Sequence, residues 1–220
     1  MKKIGITTLI CLLLCIIILN YGFADEKNIK ISNIGGGQFT VSWVTANPCI
    51  GKVLLTDQKG LVTEFFDKSK NKYTHYVTVD HLKENTRYSF SVASGEVVDN
   101  NNGKMYHVVT GPELIPVGSL QPAGQVLMDN QTPAKDSIVY IRVINDHAES
   151  AIMSTLVDQN GFWFFDLINA RTVDNQHLFN PTEADHIKIT VVGEKDSTNF
   201  SGHLMDNNYG KCLYAPLFLR

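Results

Sequence analysis

Residues 74–94, THYVTVDHLKENTRYSFSVAS, restrict the fold more than any other stretch of the chain. Val77 and Val79 alternate with polar residues, and Tyr88, Phe90 and Val92 do so again. A repeat of two puts successive side chains on opposite faces, so each run is expected to be a strand with one buried face. Between the runs, Leu82 precedes Lys83, Glu84 and Asn85, a polar run suited to a turn, and Thr86 and Tyr88 resume the pattern. A tyrosine at such a corner buries its ring while its hydroxyl reaches back to upstream backbone.

The neighbouring sequence extends this pattern. Ile29 and Ile31 precede the turn Gly35-Gly36-Gly37, and Phe39, Val41 and Trp43 then alternate with Thr40, Ser42 and Val44. Asn47-Pro48 breaks that strand, Val53 and Leu55 mark the next, and residues 62–66 give a less regular fourth. Asp99 to Gly103, between Val97 and Val108, reads as a hairpin loop before the last strand. Many short strands with turns at regular intervals indicate an antiparallel β-sandwich over residues 26–111.

The segment FTVSWVT resembles the tryptophan-bearing second strand of fibronectin type III domains, and Leu82 with Thr86 and Tyr88 resembles their E to F corner. The resemblance implies that Trp43, Leu82 and Tyr88 are structural core markers. Similar domains precede the catalytic domain of purple acid phosphatases, yet no Gly-Asp-x-Gly or Gly-Asn-His-Glu run follows here. The expectation is a module without the enzyme.

Pro112, Pro116 and Pro122, with Gly111 and Gly118, make residues 112–122 a semi-rigid linker. Beyond it, strands are expected at Gly124 to Met128 and Ile138 to Val143. Ser154 to Val157 runs into Asp158-Gln159-Asn160-Gly161, whose Asn-Gly step suits a hairpin with Phe162 to Leu167 returning. Gly124-x-Val126, Thr132-Pro133-Ala134, Ile138-Val139-Tyr140 and Asp158-x-x-Gly161-x-Trp163 together resemble carboxypeptidase regulatory-like modules. That resemblance implies a transthyretin-like, non-catalytic sandwich over residues 123–200, with Trp163 in its core. A hydrophobic extension, 201–220, follows.

Two features of this half point to interaction. In Phe162-Trp163-Phe164-Phe165, Trp163, Phe165 and Leu167 share one face, and Phe162 and Phe164 the other. If the first set fills the core, the neighbouring domain or a loop covers the second, or it is an exposed patch for a partner. The tail adds Leu213, Tyr214, Leu217, Phe218 and Leu219, expected to dock on its own chain or to add a strand to another subunit. Phe162, Phe164, Leu217 and Phe218 are therefore the candidate interaction patch.

Lys2 and Lys3 precede an apolar run from Ile4 to Leu19, with Gly22-Phe23-Ala24 behind it, so residues 1–24 are expected to form a signal helix that is cleaved on export. An uncleaved membrane anchor is the alternative. Without those two lysines the formal charge of −3 becomes −5, which gives no grip on nucleic acid. Cys11 and Cys15 leave with the leader, so Cys49 and Cys212 remain as a possible disulfide or as two thiols. His81, His147 and His186 each follow an aspartate but share no metal-ligand spacing. No nucleophile, acid/base pair or metal set is apparent, so no catalytic residue, metal or cofactor is expected. The expected protein is all-β: two consecutive antiparallel β-sandwiches, secreted, periplasmic or on the cell surface, with a structural or protein-interaction role. Its partner would be another protein or a second copy. A carbohydrate-binding module, with Tyr73, Tyr76 or Trp163 lining a groove, and an accessory subunit of a secreted enzyme are the alternatives.

Overall fold

The computed structural model describes residues 29–57, 59–67, 71–204 and 214–220. The expected leader, Cys212 and Leu213 lie outside them. The protein is all-β, with several antiparallel sheets and a 3-10 turn at Leu167–Asn169.

The first half contains β1 (Lys30–Ser32), β2 (Phe39–Cys49), β3 (Gly51–Thr56), β4 (Val62–Phe66), β5 (Lys72–Val79), β6 (Arg87–Ser94), β7 (Val97–Asp99) and β8 (Tyr106–Val109). One sheet runs β1-β2-β5; the other runs β4-β3-β6 with β7 and β8 on β6. Phe39, Val41, Trp43, Val77 and Val79 from the first sheet meet Val53, Leu55, Phe90, Val92 and Val108 from the second in one core. The corner closes as the residue pattern requires: Leu82 and Tyr88 pack partly buried against this core, and the Lys83 N–H donates to Tyr88 Oη at 2.8 Å.

One connection differs from the expectation. β3 occupies one edge of β6 along its length, so β7 and β8 share the other, with Val92 opposite Asp99 and Phe90 opposite Tyr106. They are two pieces of a single edge strand, and the loop after Asp99 is an excursion within it rather than a hairpin tip. Asn101, Asn102 and Met105 have φ of 53°, 56° and 58°, which lets the loop leave and rejoin the same edge.

The second half contains β9 (Ala123–Met128), β10 (Ile138–Ile144), β11 (Met153–Leu156), β12 (Phe162–Phe164), β13 (His186–Val192), β14 (Ser197–His203) and β15 (Leu217–Leu219). Its sheets are β11-β10-β13-β14 and β12-β9-β15, packed around Val126, Val139, Ile141, Trp163, Phe165, Leu167, Ile187, Ile189 and Leu219. The Asn160-Gly161 turn is tight, with the Asp158 N–H donating to the Phe162 carbonyl at 2.8 Å. It does not join paired strands, because β11 pairs with β10 whereas β12 pairs with β9. Burying Trp163 and Phe165 carries the chain across to the opposite sheet. β14 also runs past the boundary expected at residue 200.

The halves meet through a polar seam. The middle of the linker is open to solvent, with Ile115 and Val117 85% and 92% exposed. The outward face of β1-β2-β5 lies on β10 and β11. Ser42 Oγ and Tyr140 Oη are 2.7 Å apart, as are Ser32 Oγ and Ser154 Oγ. Lys72 Nζ reaches Asp136 Oδ1 at 2.9 Å, and Thr74 Oγ1 donates to the Asp136 carbonyl at 2.9 Å. Strands β2 and β10 are consequently covered on both faces at this contact, and the buried polar groups are paired, which makes such a contact tolerable.

Candidate interaction surface

The three strands of the β12-β9-β15 sheet, FWF, AGQVLM and LFL, contain no charged residue. Residues opposite one another in register share a face, so Phe162 lies beside Gln125, Phe164 beside Ala123 and Phe218 beside Leu127 on the outward side. Phe162, Phe164 and Phe218 are 45%, 66% and 43% exposed. The neighbouring half does not cover them, because it lies against the other sheet. Exposed apolar side chains on β4 make a contrast: Glu64 sits between Val62 and Phe66 on the same face and pairs with Lys52 at 2.8 Å. Charge breaks up that edge and is absent from the aromatic face.

Leu217 does not belong to this patch. Alternate residues of a strand point to opposite faces, so with Phe218 outward, Leu217 and Leu219 turn into the second core, where Leu219 is 1% exposed. The tail docks on its own chain: β15 pairs parallel with β9, Asp129 N–H donates to the Leu219 carbonyl at 2.9 Å, and Arg220 N–H to Asp196 Oδ2 at 3.0 Å. Trp43 and Trp163 are buried core residues. Trp163 stacks on Tyr214 at 6.1 Å between centroids, and Tyr76 is committed to the seam, donating to the Ser154 carbonyl at 2.8 Å. Neither ring is available as a platform for a sugar.

Cys49 is half-buried at the end of β2. The three Asp-His pairs do not converge, and no group of three or more metal-ligating side chains occurs among the described residues. No helix among them is long and apolar enough to cross a membrane. A cleft of about 660 Å³ opens beside the seam, between the Gly35–Gly37 turn, Asp80, His81, Glu113 and Arg171. Arg171 Nη1 donates to the Pro112 carbonyl at 2.9 Å and to the Asn175 carbonyl at 3.1 Å.

Sequence reasoning missed the seam residues, although one signal was present. In β10, Ile138 and Tyr140 are apolar on the face opposite Val139 and Ile141, which marks a strand covered on both sides. Burial pushes the Tyr140 hydroxyl up to about 12, aided by nearby Tyr76 and opposed by its hydrogen bond to Ser42. Burial also raises Tyr76. A tyrosine whose folded value lies above its unfolded value contributes stability that is fully present below about pH 10 and is lost as pH rises towards 12. For Tyr140 the loss amounts to about 2–3 kcal/mol. Lys30, whose ammonium lies 4.1 Å over the Tyr140 ring, is lowered by burial and works in the opposite direction. Urea unfolding at pH 8 and at about pH 11.5 is expected to show this loss in the wild type and a smaller loss in Tyr140→Phe. The remaining slope includes Tyr106, raised to about 12 by burial and by Asp99.

No protein-family profile matches the sequence. No curated protein matches it either. Among solved structures, the chain is similar to the FN1–FN3 domains of chicken CNTN1, at 10% identity and a TM-score of 0.29, over 80% of this chain and 63% of that one. A two-domain fibronectin type III segment of chicken tenascin matches at 12% identity and a TM-score of 0.28, over 80% of this chain and 96% of that one. A pullulanase from Anoxybacillus sp. LM18-11 matches at 10% identity and a TM-score of 0.24, over 84% of this chain and 29% of that one.

Proposed function

We propose that this chain is an exported, non-catalytic interaction protein that presents the β12-β9-β15 face to a protein partner or to a second copy of itself. In this reading its two halves are consecutive β-sandwiches, fibronectin type III-like and then transthyretin-like, held in one orientation by the polar seam. The observation that carries the interaction role is the uncharged outward sheet face bearing Phe162, Phe164 and Phe218. Aromatic side chains exposed together, without interleaved charge, are what an interface core is made of. The sandwich reading is supported by two separate cores, each filled from two facing sheets, and by the Tyr88 corner. The export reading rests on Lys2, Lys3 and the apolar run behind them.

Native mass spectrometry of the protein, released under mild conditions from its own cell surface or medium, is expected to show an assembly. Phe162→Ser with Phe164→Ser should dissolve it while leaving the far-UV circular dichroism unchanged, since both side chains already face solvent. Each truncated aromatic anchor is expected to cost about 2 kcal/mol of binding. A wild-type monomer that binds glycans would move the reading to a carbohydrate-binding module. A wild-type monomer that binds neither would overturn both.

A further inference from the structure

The β2–β3 corner brings together three side chains that are far apart in the sequence. Cys49 Sγ lies 3.5 Å from His75 Nε2, and Asp67 Oδ2 lies 3.5 Å from His75 Nδ1. The imidazole is fully buried and the Asp67 side chain is 2% exposed, whereas Cys49 is half-buried beside the exposed Ile50. Trp43 stacks on the imidazole at 4.8 Å, and the missing side chain of Gly51 makes room for the pair. A Cβ there would lie 2.7 Å from His75 Cγ and 2.8 Å from Trp43 Cζ2. The pairing of β2 with β5 shifts register between Val44 and Cys49, and this irregularity swings Cys49 towards His75.

The chemistry of the groups orders them. Sulfur and carboxylate face opposite ring nitrogens, so they cannot ligate one metal ion together. Asp67 Oδ2, at 3.5 Å, makes no hydrogen bond to the buried Nδ1, but a carboxylate charge on that side of the ring favours the proton on Nδ1 over Nε2. Asp67 is itself held by the Tyr76 N–H at 3.2 Å. In the neutral ring Nε2 is then an acceptor. Thr45 Oγ1 is 3.2 Å from Nε2, but its one proton goes to the Asn47 carbonyl at 2.8 Å. The Cys49 thiol lies 3.8 Å from Thr45 Oγ1 and 3.5 Å from Nε2, and of the two acceptors the imidazole nitrogen is the one basic enough to take its proton. When it transfers, the resulting imidazolium faces a buried carboxylate, where the attraction of opposite charges is strongest.

We infer that Cys49 is a reactive thiol, with His75 as its proton acceptor and the Asp67 carboxylate beside the imidazole favouring its protonated form, and that it exchanges with the disulfide of a small molecule. Thiol–disulfide exchange needs only a thiolate, an open approach and a place for the proton. In the step, Cys49 Sγ gives its proton to His75 Nε2 and attacks one sulfur of the disulfide. A new S–S bond forms to Cys49, the old one breaks, and the departing thiolate takes the proton back from His75. One disulfide is consumed and one is made, so no outside oxidant is needed.

The test uses the full chain with Cys11→Ser, Cys15→Ser and Cys212→Ser, fully reduced, so that no second thiol resolves the mixed disulfide. Oxidised glutathione is the probe, and peptide mass spectrometry reads its addition at Cys49 over time. In the folded chain at pH 7 the rate at Cys49 is expected to exceed that in the urea-unfolded chain roughly tenfold or more. Folded His75→Gln should fall back to the unfolded rate, and folded Asp67→Asn should lie between. A folded-state rate no faster than the unfolded one overturns the inference, as does a folded His75→Gln that reacts like the wild type. Because a buried imidazole is hard to replace, nitrogen NMR of the unsubstituted ring gives an independent reading. The Nδ1–H tautomer is required, and an Nε2–H tautomer would overturn the assignment.

Discussion

Trp163→Ala will destabilise the second core by about 3–5 kcal/mol, the usual cost of deleting a large buried aromatic side chain. The indole is 2% exposed, tilts against Phe165 at 5.7 Å and stacks on Tyr214. Below it lies Gly124, where a Cβ would stand 2.5 Å from Trp163 Cζ2. The site is closed on every side by strand backbone and aromatic rings, so little can collapse into the cavity. A loss of that size is a large share of the stability of an ordinary domain. The two cores share no buried residue, so guanidinium unfolding followed by Trp43 fluorescence and circular dichroism should separate into two transitions, the second core melting first. Trp163→Phe should cost much less. It keeps a ring in the site and removes an indole N–H that has no hydrogen-bond partner among the described residues. A Trp163→Ala chain within about 1 kcal/mol of wild type would show that the indole does not hold this core together.

Asn33→Ala will open the seam between the halves. The Asn33 side chain docks on the free edge of β11 as a neighbouring strand would: Oδ1 accepts the Ser154 N–H at 2.8 Å, and Nδ2 donates to the Ser154 carbonyl at 2.9 Å. Its own backbone N–H donates to the Ile152 carbonyl at 3.1 Å, and Nδ2 also reaches Tyr76 Oη at 3.0 Å. Alanine would leave the Ser154 N–H in the seam without this partner, at about 1–3 kcal/mol, while the Ser154 carbonyl keeps the Tyr76 hydroxyl at 2.8 Å. The residue also holds φ at 51°, a left-handed conformation that asparagine tolerates better than alanine, worth about 1 kcal/mol more. Asn33→Gly should recover that backbone part only. The expected readouts are a broader small-angle scattering profile and faster proteolysis at the exposed linker around Ile115 and Val117. Unchanged scattering and proteolysis in Asn33→Ala would mean that other contacts set the orientation.

The strands around Leu82 were legible because each carries a period of two that only one burial pattern satisfies. Val77, Val79, Phe90 and Val92 all reach the core that their alternation implies, and Tyr88 makes the corner bond. Connections were less legible. The Asn160-Gly161 turn is local chemistry and is present, but whether the strands it joins pair with each other depends on where Trp163 and Phe165 find a core. Leu217 was assigned to the wrong side of its strand, because the parity of an isolated tail strand is set by the strand it docks on, here β9.

The candidate surface divides in the same way. That Phe162 and Phe164 face away from Trp163 follows from the alternation of side chains along any strand. That they meet Phe218 and Leu127 on an uncharged face, while the neighbouring half lies against the other sheet, follows only from sheet order. The residues at positions 49, 67 and 75 carry no spacing that links them. The sequence by itself determined which residues form strands and which side of each strand is apolar, because these depend on neighbours one and two positions away. Only the tertiary structure decided which faces are covered, and which thiol, imidazole and carboxylate meet, because register and sheet packing join residues through space.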